Sequence, residues 1–166
     1  MSRSAILIAT VGGLGRLPQA PGTFASIAAI PAAWLLHAIG GFPLLALVTL
    51  GMFGSGLSAV KLYLTQTQET DPSEVVIDEV IGQWIALWPL SLGLWLQGVP
   101  GGVFPWPGWV LAFLAFRFFD ILKPPPVNRA EKVPGAWGVM LDDVVAGLLA
   151  AVVGGAAAIV AHGVLL

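Results

Sequence analysis

Five long runs of apolar residues divide the chain, and they restrict its fold more than any other feature of the sequence. The runs lie at residues 24–39, 42–60, 80–96, 109–122 and 144–166. A helix needs about 20 predominantly apolar residues, with a range of about 17 to 25, to cross a bilayer. The first run contains Pro31, and the fourth contains Arg117 and Asp120, so either could be tilted or re-entrant. The sequence predicts an all-α, polytopic helical bundle with five membrane-embedded helices, and four is the alternative.

The composition agrees with this prediction and excludes several classes of protein. The 166 residues are 57% hydrophobic and only 10% charged, whereas soluble domains carry about 25% charged residues. One membrane-embedded domain over residues 1–166 is expected. The sequence has no cysteine, which removes thiolate nucleophiles and thiolate metal sites. It has no cluster of Lys and Arg, so no nucleic-acid partner is expected.

The charged residues are gathered in alternate connections between the runs. The charged connections hold Arg3, Arg16, Lys61, Glu69, Asp71, Glu74, Asp78, Glu79, Lys123, Arg129, Glu131, Lys132, Asp142 and Asp143. The other connections, around residues 40–41 and 97–108, contain no Lys, Arg, Asp or Glu. The positive-inside bias then places the charged side and the N-terminus in the cytoplasm. A four-span count would break this alternation.

Three predicted helix ends on the charged side bring acids together. The acids are Asp78, Glu79, Asp120, Asp142 and Asp143. Capping explains one acid at a helix start, because the helix dipole favours negative charge there. Five converging acids would repel one another unless a cation neutralised them. Mg²⁺ is the natural candidate, since it takes carboxylate oxygens and leaves positions for water and phosphate oxygens.

Basic residues accompany these acids. Arg117, Asp120 and Lys123 recur every third residue and share one helical stripe. Two interpretations stay open: a structural ion pair, or an anion site in which Asp120 is a ligand or base and the two cations bind the anion. A Gly- and Pro-rich loop with Arg16 ends at Thr23, a predicted N-cap, and its amides could cradle phosphate.

The sequence offers neither a cysteine nor a plausible histidine nucleophile. His37 and His162 lie in apolar runs, where a lone histidine is typically packed or interfacial. Carboxylates with Arg and Lys favour metal-assisted attack of water on a phosphate ester. Two other classes stay open: a small cation transporter, which predicts polar residues across the membrane, and a structural assembly protein whose acids only cap helices.

Four ordered motifs carry a resemblance to a known family. GRLPQAPGTFAS, DEVIGQW, FRFFDILKPPPV and VPGAWGVMLDDVVAG resemble the phosphatidylglycerophosphatase A family of bacterial membrane lipid phosphatases. The match covers roughly Gly12 to Gly147. The resemblance implies Mg²⁺-dependent hydrolysis of the lipid phosphatidylglycerophosphate to phosphatidylglycerol and phosphate at the inner membrane, the last step in making phosphatidylglycerol.

The resemblance also implies a set of site residues. The catalytic and metal-binding positions fall on Asp78, Glu79, Asp120, Asp142 and Asp143, the basic positions on Arg117 and Lys123, and the glycine loop on Gly15, Pro21, Gly22 and Thr23. Substrate phosphate is expected at Arg117, Lys123, Arg16, Gly22 and Thr23. Ala25 and Ala136 stand where family members often have glycine, and a local backbone adjustment with retained activity is expected. The small residues at 154–158 permit close helix packing, within one chain or between two copies.

Overall fold

The protein is built from helices throughout the part of the chain that its computed structural model describes, residues 3–70 and 72–165, with side chains up to residue 161. Asp71, Leu166 and the side chain of His162 lie outside this part. The helices are α1 (Arg3–Ala9), α2 (Pro21–Thr67), α3 (Ile77–Leu96), α4 (Trp106–Leu122), α5 (Pro125–Glu131) and α6 (Ala136–Leu165), with a 3-10 turn at Leu14–Arg16. The described residues include no β-strand. The predicted all-α fold is confirmed.

Helix α2 is broken into two arms at a pair of glycines. Gly40 and Gly41 have non-helical backbone angles, and Gly41 has φ of 64°. Glycine is needed at Gly41, because this conformation disfavours other residues and a Cβ there would overlap the Trp95 ring. The two arms correspond to the first two apolar runs, so the connection predicted around residues 40–41 is present.

The start of α2 differs from the prediction. Thr23 was expected to cap the helix, but α2 begins at Pro21 and the N-cap position is Ala20. Proline is favoured in the first turn, because its φ is already helical and its missing N–H would have had no partner there. Thr23 therefore lies inside the first turn, where its side chain is available for another contact.

Two helices are long and apolar enough to cross a membrane by length and composition: Pro21–Thr67 and Ala136–Ala161. Few residues of their most apolar stretches are buried, and large apolar side chains such as Leu47, Val152 and Ile159 are exposed, Ile159 to 75%. Apolar surface of this extent is rare on soluble monomers. The protein therefore has the surface of a membrane protein, and the number of five membrane-embedded helices stays a prediction.

Helix α3 lies at the centre of the bundle and contacts α2, α4 and α6. Two glycines let α3 and α6 approach closely. A Cβ on Gly147 would overlap the Gly82 carbonyl, and a Cβ on Gly82 would lie 2.7 Å from the Asp143 carbonyl oxygen. This close crossing brings the acidic second turn of α6 beside the first turn of α3, where Asp78 and Glu79 lie.

The crossing leads to a testable difference between two glycines of α3. Gly82→Ala is expected to lower the free energy of unfolding by about 1–3 kcal/mol, because overpacking a close contact has that cost. The new methyl group would meet Phe116 at 2.5 Å as well as the Asp143 carbonyl. Gly93→Ala is the matched control, because nothing lies within 4 Å of its Cβ position. Thermal unfolding in detergent measures both, and equal melting temperatures would contradict the packing described here.

Candidate metal and phosphate site

Three carboxylates from three different helices converge at one end of the bundle. Glu79 of α3, Asp120 of α4 and Asp143 of α6 each offer an oxygen, and these oxygens lie within 4.8 Å of one another. Asp143 is only 4% exposed. We call these three residues the acid cluster. The structure thus brings together acids from all three helix ends that the sequence singled out.

The start of α2 closes over Glu79 of the acid cluster. A Cβ on Gly22 would overlap Glu79 Oε1, so only glycine lets the backbone come this near to the carboxylate. One turn further along α2, Ser26 Oγ donates a hydrogen bond of 3.2 Å to Glu79 Oε2. The glycine loop therefore contacts the acids directly. Ala25, one of the two departures from glycine, is fully buried in α2, and Ala136 begins α6.

Arg117 holds two members of the acid cluster together. Its Nη1 lies 2.6 Å from Glu79 Oε2 and 2.7 Å from Asp120 Oδ2. Its Nη2 donates a hydrogen bond of 3.3 Å to Thr23 Oγ1. Arg117 thus ties α2, α3 and α4 at the site. The ion pair with Asp120, one of the two interpretations left open by the sequence, is present, and the guanidinium offsets part of the negative charge of the cluster.

Lys123 makes a second ion-pair group beside the first. Its Nζ lies 2.9 Å from Asp142 Oδ2 and 2.6 Å from Glu131 Oε1. Burial lowers the pKa of Lys123, but hydrogen bonds and charge interactions with Glu131 and Asp142 outweigh it, so the pKa is raised above its usual value. Lys123 is therefore a cation at neutral pH. Asp142 faces this lysine, while the adjacent Asp143 belongs to the acid cluster.

A cavity of about 230 Å³ opens onto both groups. We call it the acid cavity. Its lining includes all five predicted acids, Lys123 and Gly22, together with Pro21, Pro72, Ser73, Val75, Val76 and Val139. Asp78 is buried at its wall, and its Oδ1 accepts a hydrogen bond of 3.0 Å from the Glu79 N–H. The cavity thus presents a carboxylate surface with one lysine to whatever enters it.

Three of the five predicted phosphate-binding residues do not line the acid cavity: Arg16, Thr23 and Arg117. Arg16 is exposed, and its Nε lies 3.3 Å from Glu74 Oε2, which also accepts a hydrogen bond of 2.9 Å from the Tyr63 hydroxyl. Arg16 is not part of the acid cavity lining, and neither is Thr23, which contacts Arg117. The loop that contains Arg16 instead contacts the segment before α3. In this contact, Gly15 of the loop packs against the Glu74 carbonyl.

Three residues at the site were not predicted as site residues. Ser26 and Glu131 hydrogen-bond Glu79 and Lys123, respectively. Gln83 is fully buried, and neither polar atom of its side chain has a hydrogen-bond partner among the described residues. Its sequence signal is the spacing of four from Glu79, because helical side chains lean toward the N-terminus and Gln83 therefore reaches toward the Glu79 turn. An unpaired buried amide costs about 1–3 kcal/mol.

The histidine of the first apolar run is a packed residue, as predicted. His37 is buried, and its Nδ1 lies 2.8 Å from Ser91 Oγ. It is not among the residues that line the acid cavity. The candidate site therefore depends on carboxylates, Arg117 and Lys123.

The fold and the site together define a class: a helical membrane protein whose polar site suits a divalent cation and a phosphate ester. A family model described as Phosphatidylglycerophosphatase A matches residues 7–158. The chain belongs to the phosphatidylglycerophosphatase A family, and the resemblance identified from its motifs is confirmed.

Relatives from several bacteria resemble the chain over most of its length. A phosphatidylglycerophosphatase A of Escherichia coli K12 is 34% identical over 152 residues, covering 91% of this chain and 81% of the relative. One of Haemophilus influenzae is 32% identical over 149 residues, covering 89% and 84%. A protein of Bacteroides thetaiotaomicron, provisionally named a phosphatidylinositol-3-phosphatase, is 38% identical over 149 residues, covering 86% of each chain. No solved structure matches the chain.

Proposed function

We propose that the protein removes the terminal phosphate of phosphatidylglycerophosphate, producing phosphatidylglycerol and inorganic phosphate in phospholipid biosynthesis. The observation that carries this proposal is the convergence of Glu79, Asp120 and Asp143, within 4.8 Å, in a cavity of a phosphatidylglycerophosphatase A family member. The names of the E. coli and H. influenzae relatives support the same substrate.

The residues of the acid cluster fit a divalent cation such as Mg²⁺. They are hard oxygen donors from three helices, which is the ligand chemistry that Mg²⁺ prefers. Arg117 forms ion pairs with Glu79 and Asp120, so one guanidinium faces three carboxyl groups and a divalent cation would balance the charge of the ionised cluster. We therefore infer that Glu79, Asp120 and Asp143 hold Mg²⁺, which when bound would neutralise charge that develops on the phosphate oxygens.

The other charged residues at the site have separate roles in this proposal. Lys123, a cation at the wall of the cavity, binds the phosphate as a point charge. Arg117 orients the Glu79 and Asp120 carboxylates through its two ion pairs. Asp78 and Asp142 line the same cavity outside the acid cluster, and one of them accepts the proton of the water that attacks phosphorus. The new P–O bond forms as the bond between phosphorus and the glycerol oxygen breaks, and this oxygen takes up a proton to become the hydroxyl group of phosphatidylglycerol.

The proposed placement in the membrane follows the charge distribution. The two arms of α2, with α3, α4 and α6, would be the five embedded helices. The helix ends that carry Asp78, Asp120 and Asp143 would lie on the cytoplasmic side of the inner membrane, as the positive-inside bias indicates. The lipid phosphate would then meet the acid cavity at the interface, while its acyl chains stay in the bilayer.

A panel of lipid phosphomonoesters tests the substrate. Purified protein in detergent with Mg²⁺ is incubated with phosphatidylglycerophosphate, phosphatidylinositol-3-phosphate or phosphatidic acid, and inorganic phosphate is measured. We expect the highest kcat/KM for phosphatidylglycerophosphate. A preference for phosphatidylinositol-3-phosphate would mean that this protein has the activity for which the B. thetaiotaomicron relative is named. Release from none of the three by folded protein would contradict the phosphatase proposal.

A further inference from the structure

An apolar groove lies between the first arm of α2 and α4. It has a volume of about 400 Å³ and is lined by Ile27, Ile30, Pro31 and Trp34 of α2, Trp109 of α4, and Phe104 in the preceding loop. Ile27 is 47% exposed and Trp34 is 41% exposed. We call it the α2–α4 groove. It offers apolar side chains to a ligand and has no charged residue in its lining.

The helix faces that form the groove continue to the acid cluster. On α2, Thr23, Ile27, Ile30 and Trp34 recur every three or four residues and so share one face. On α4, Trp109, Phe113 and Arg117 recur every four residues in the same way. The two faces meet where Arg117 Nη2 donates to Thr23 Oγ1 at 3.3 Å. Both helix faces are therefore apolar along the groove. At the end nearest the acid cluster, the α4 face carries Arg117 and the α2 face carries Thr23.

The dimensions fit one lipid chain. Thr23 and Trp34 are separated by eleven residues, or about 16 Å along a helix axis. One leaflet of the hydrocarbon core is about 15 Å deep, half of a total of about 30 Å. We propose that the α2–α4 groove binds one acyl chain of the phospholipid substrate while its phosphate lies in the acid cavity. This inference rests on the proposed function and specifies how the same site selects a lipid.

A second apolar cavity is not connected to the acid cluster in the same way. Its volume is about 340 Å³, and its lining includes Leu90, Leu111 and Ala157. Between this cavity and Asp143, the residues Ala146 and Ala150 of α6 are fully buried, so packed side chains close that route. On the α2–α4 side, Phe24 and Ile27 are both exposed. The helix surface beside the acid cluster is therefore more exposed along α2 than along this part of α6.

The kinetic test fills the groove and compares a lipid with its chain-free headgroup. Ile27→Trp is expected to lower kcat/KM for dioleoyl phosphatidylglycerophosphate at least about 10-fold, since excluding apolar groups from a pocket changes specificity by about 10–200-fold. The glycerophosphoglycerophosphate headgroup without acyl chains should change less than twofold. Ile159→Trp, on the exposed face of α6, is the matched control. An equal loss for both substrates, or a loss for neither, would overturn the inference.

A binding test does not depend on hydrolysis. The wild-type protein is photolabelled with a diacyl phosphonate analogue of the substrate that carries a diazirine on one chain, and with phosphatidylglycerol bearing the same chain. Selective labelling of residues 27–34 and 102–109 by the phosphonate probe is expected. Equal labelling by both probes would mean ordinary bilayer lipid and would overturn the inference. If wild-type protein hydrolyses no lipid but this selectivity holds, the proposed function fails and the chain-binding groove stands.

Discussion

Asp143→Asn is expected to abolish most phosphate release from phosphatidylglycerophosphate while leaving the helical fold intact. Asparagine has nearly the same shape, so the substitution removes a charge from the acid cluster without opening space. Loss of a carboxylate that holds the cation removes several kcal/mol of charge stabilisation in the transition state, and each 1.36 kcal/mol is tenfold, so a fall on the order of 10³-fold is expected. Initial rates at saturating Mg²⁺ measure it.

The stability of this variant provides an independent readout. Asp143 is buried beside other carboxylates, so neutralising it relieves repulsion in the metal-free protein. Its melting temperature without Mg²⁺ should therefore equal or exceed that of the wild type, and calorimetry should show weaker Mg²⁺ binding. Glu69→Gln, which neutralises an exposed acid outside the acid cavity, is the control and should change neither property. Activity of Asp143→Asn within twofold of the wild type would remove this residue from the proposed site.

Arg117→Met is expected to have the largest effect on stability. Arg117 is 16% exposed in its side chain and pairs with both Glu79 and Asp120. Removing one partner of a buried ion pair leaves an uncompensated charge and costs roughly 3–5 kcal/mol. Phosphate release should fall as well, because the two carboxylates lose the group that orients them. Thermal unfolding in detergent and initial rates measure the two effects.

Adding Mg²⁺ to the Arg117→Met variant distinguishes two causes of its lower stability, the loss of charge compensation and the loss of packing. If the cluster binds the cation, Mg²⁺ at 100 times its Kd should raise the free energy of unfolding by about 2.7 kcal/mol. Arg129→Met is the matched control, because Arg129 is exposed and lies outside the acid cavity. Equal melting temperatures for the two variants, with or without Mg²⁺, would show that the Arg117 ion pairs do not hold the cluster.

The architecture could be predicted because it follows from local patterns. Apolar runs of helical length, interrupted by glycines at residues 40–41, indicate helices that turn back on one another. Acids at the ends of three such runs indicate one polar end of the bundle. Both conclusions need only the alternation of apolar and charged segments. The convergence of Asp78, Asp120 and Asp143 at one cavity agrees with that reasoning.

The assignment of individual acids could not be predicted in this way. Asp142 and Asp143 are adjacent in sequence, yet one pairs with Lys123 and the other belongs to the acid cluster. Neighbouring residues point to different sides of a helix, and the side that faces α3 is decided by the close crossing at Gly82 and Gly147. That crossing depends on tertiary packing, which the spacing of the acids does not reveal.

The contacts of Arg16, in the loop before α2, could not be predicted from the sequence either. Arg16 was expected to bind phosphate, but the structure pairs it with Glu74, 58 residues away in sequence. The positive φ of Gly12 and Gly13, 69° and 99°, sets the path of this loop. The path of the loop depends on local backbone conformation and on contacts with the segment before α3. The distribution of charged residues in the sequence reveals neither of these.

The Mg²⁺ dependence of phosphate release is the most direct test of the central claim, that Glu79, Asp120 and Asp143 form the cation site of a lipid phosphatase. Initial rates on phosphatidylglycerophosphate are measured for wild-type protein after treatment with EDTA and then along a Mg²⁺ titration, with phosphatidylglycerol quantified as the product. We predict no release in EDTA and a saturable recovery that Asp143→Asn lacks. Release that continues undiminished in EDTA, or a recovery that Asp143→Asn shares fully, would contradict the claim.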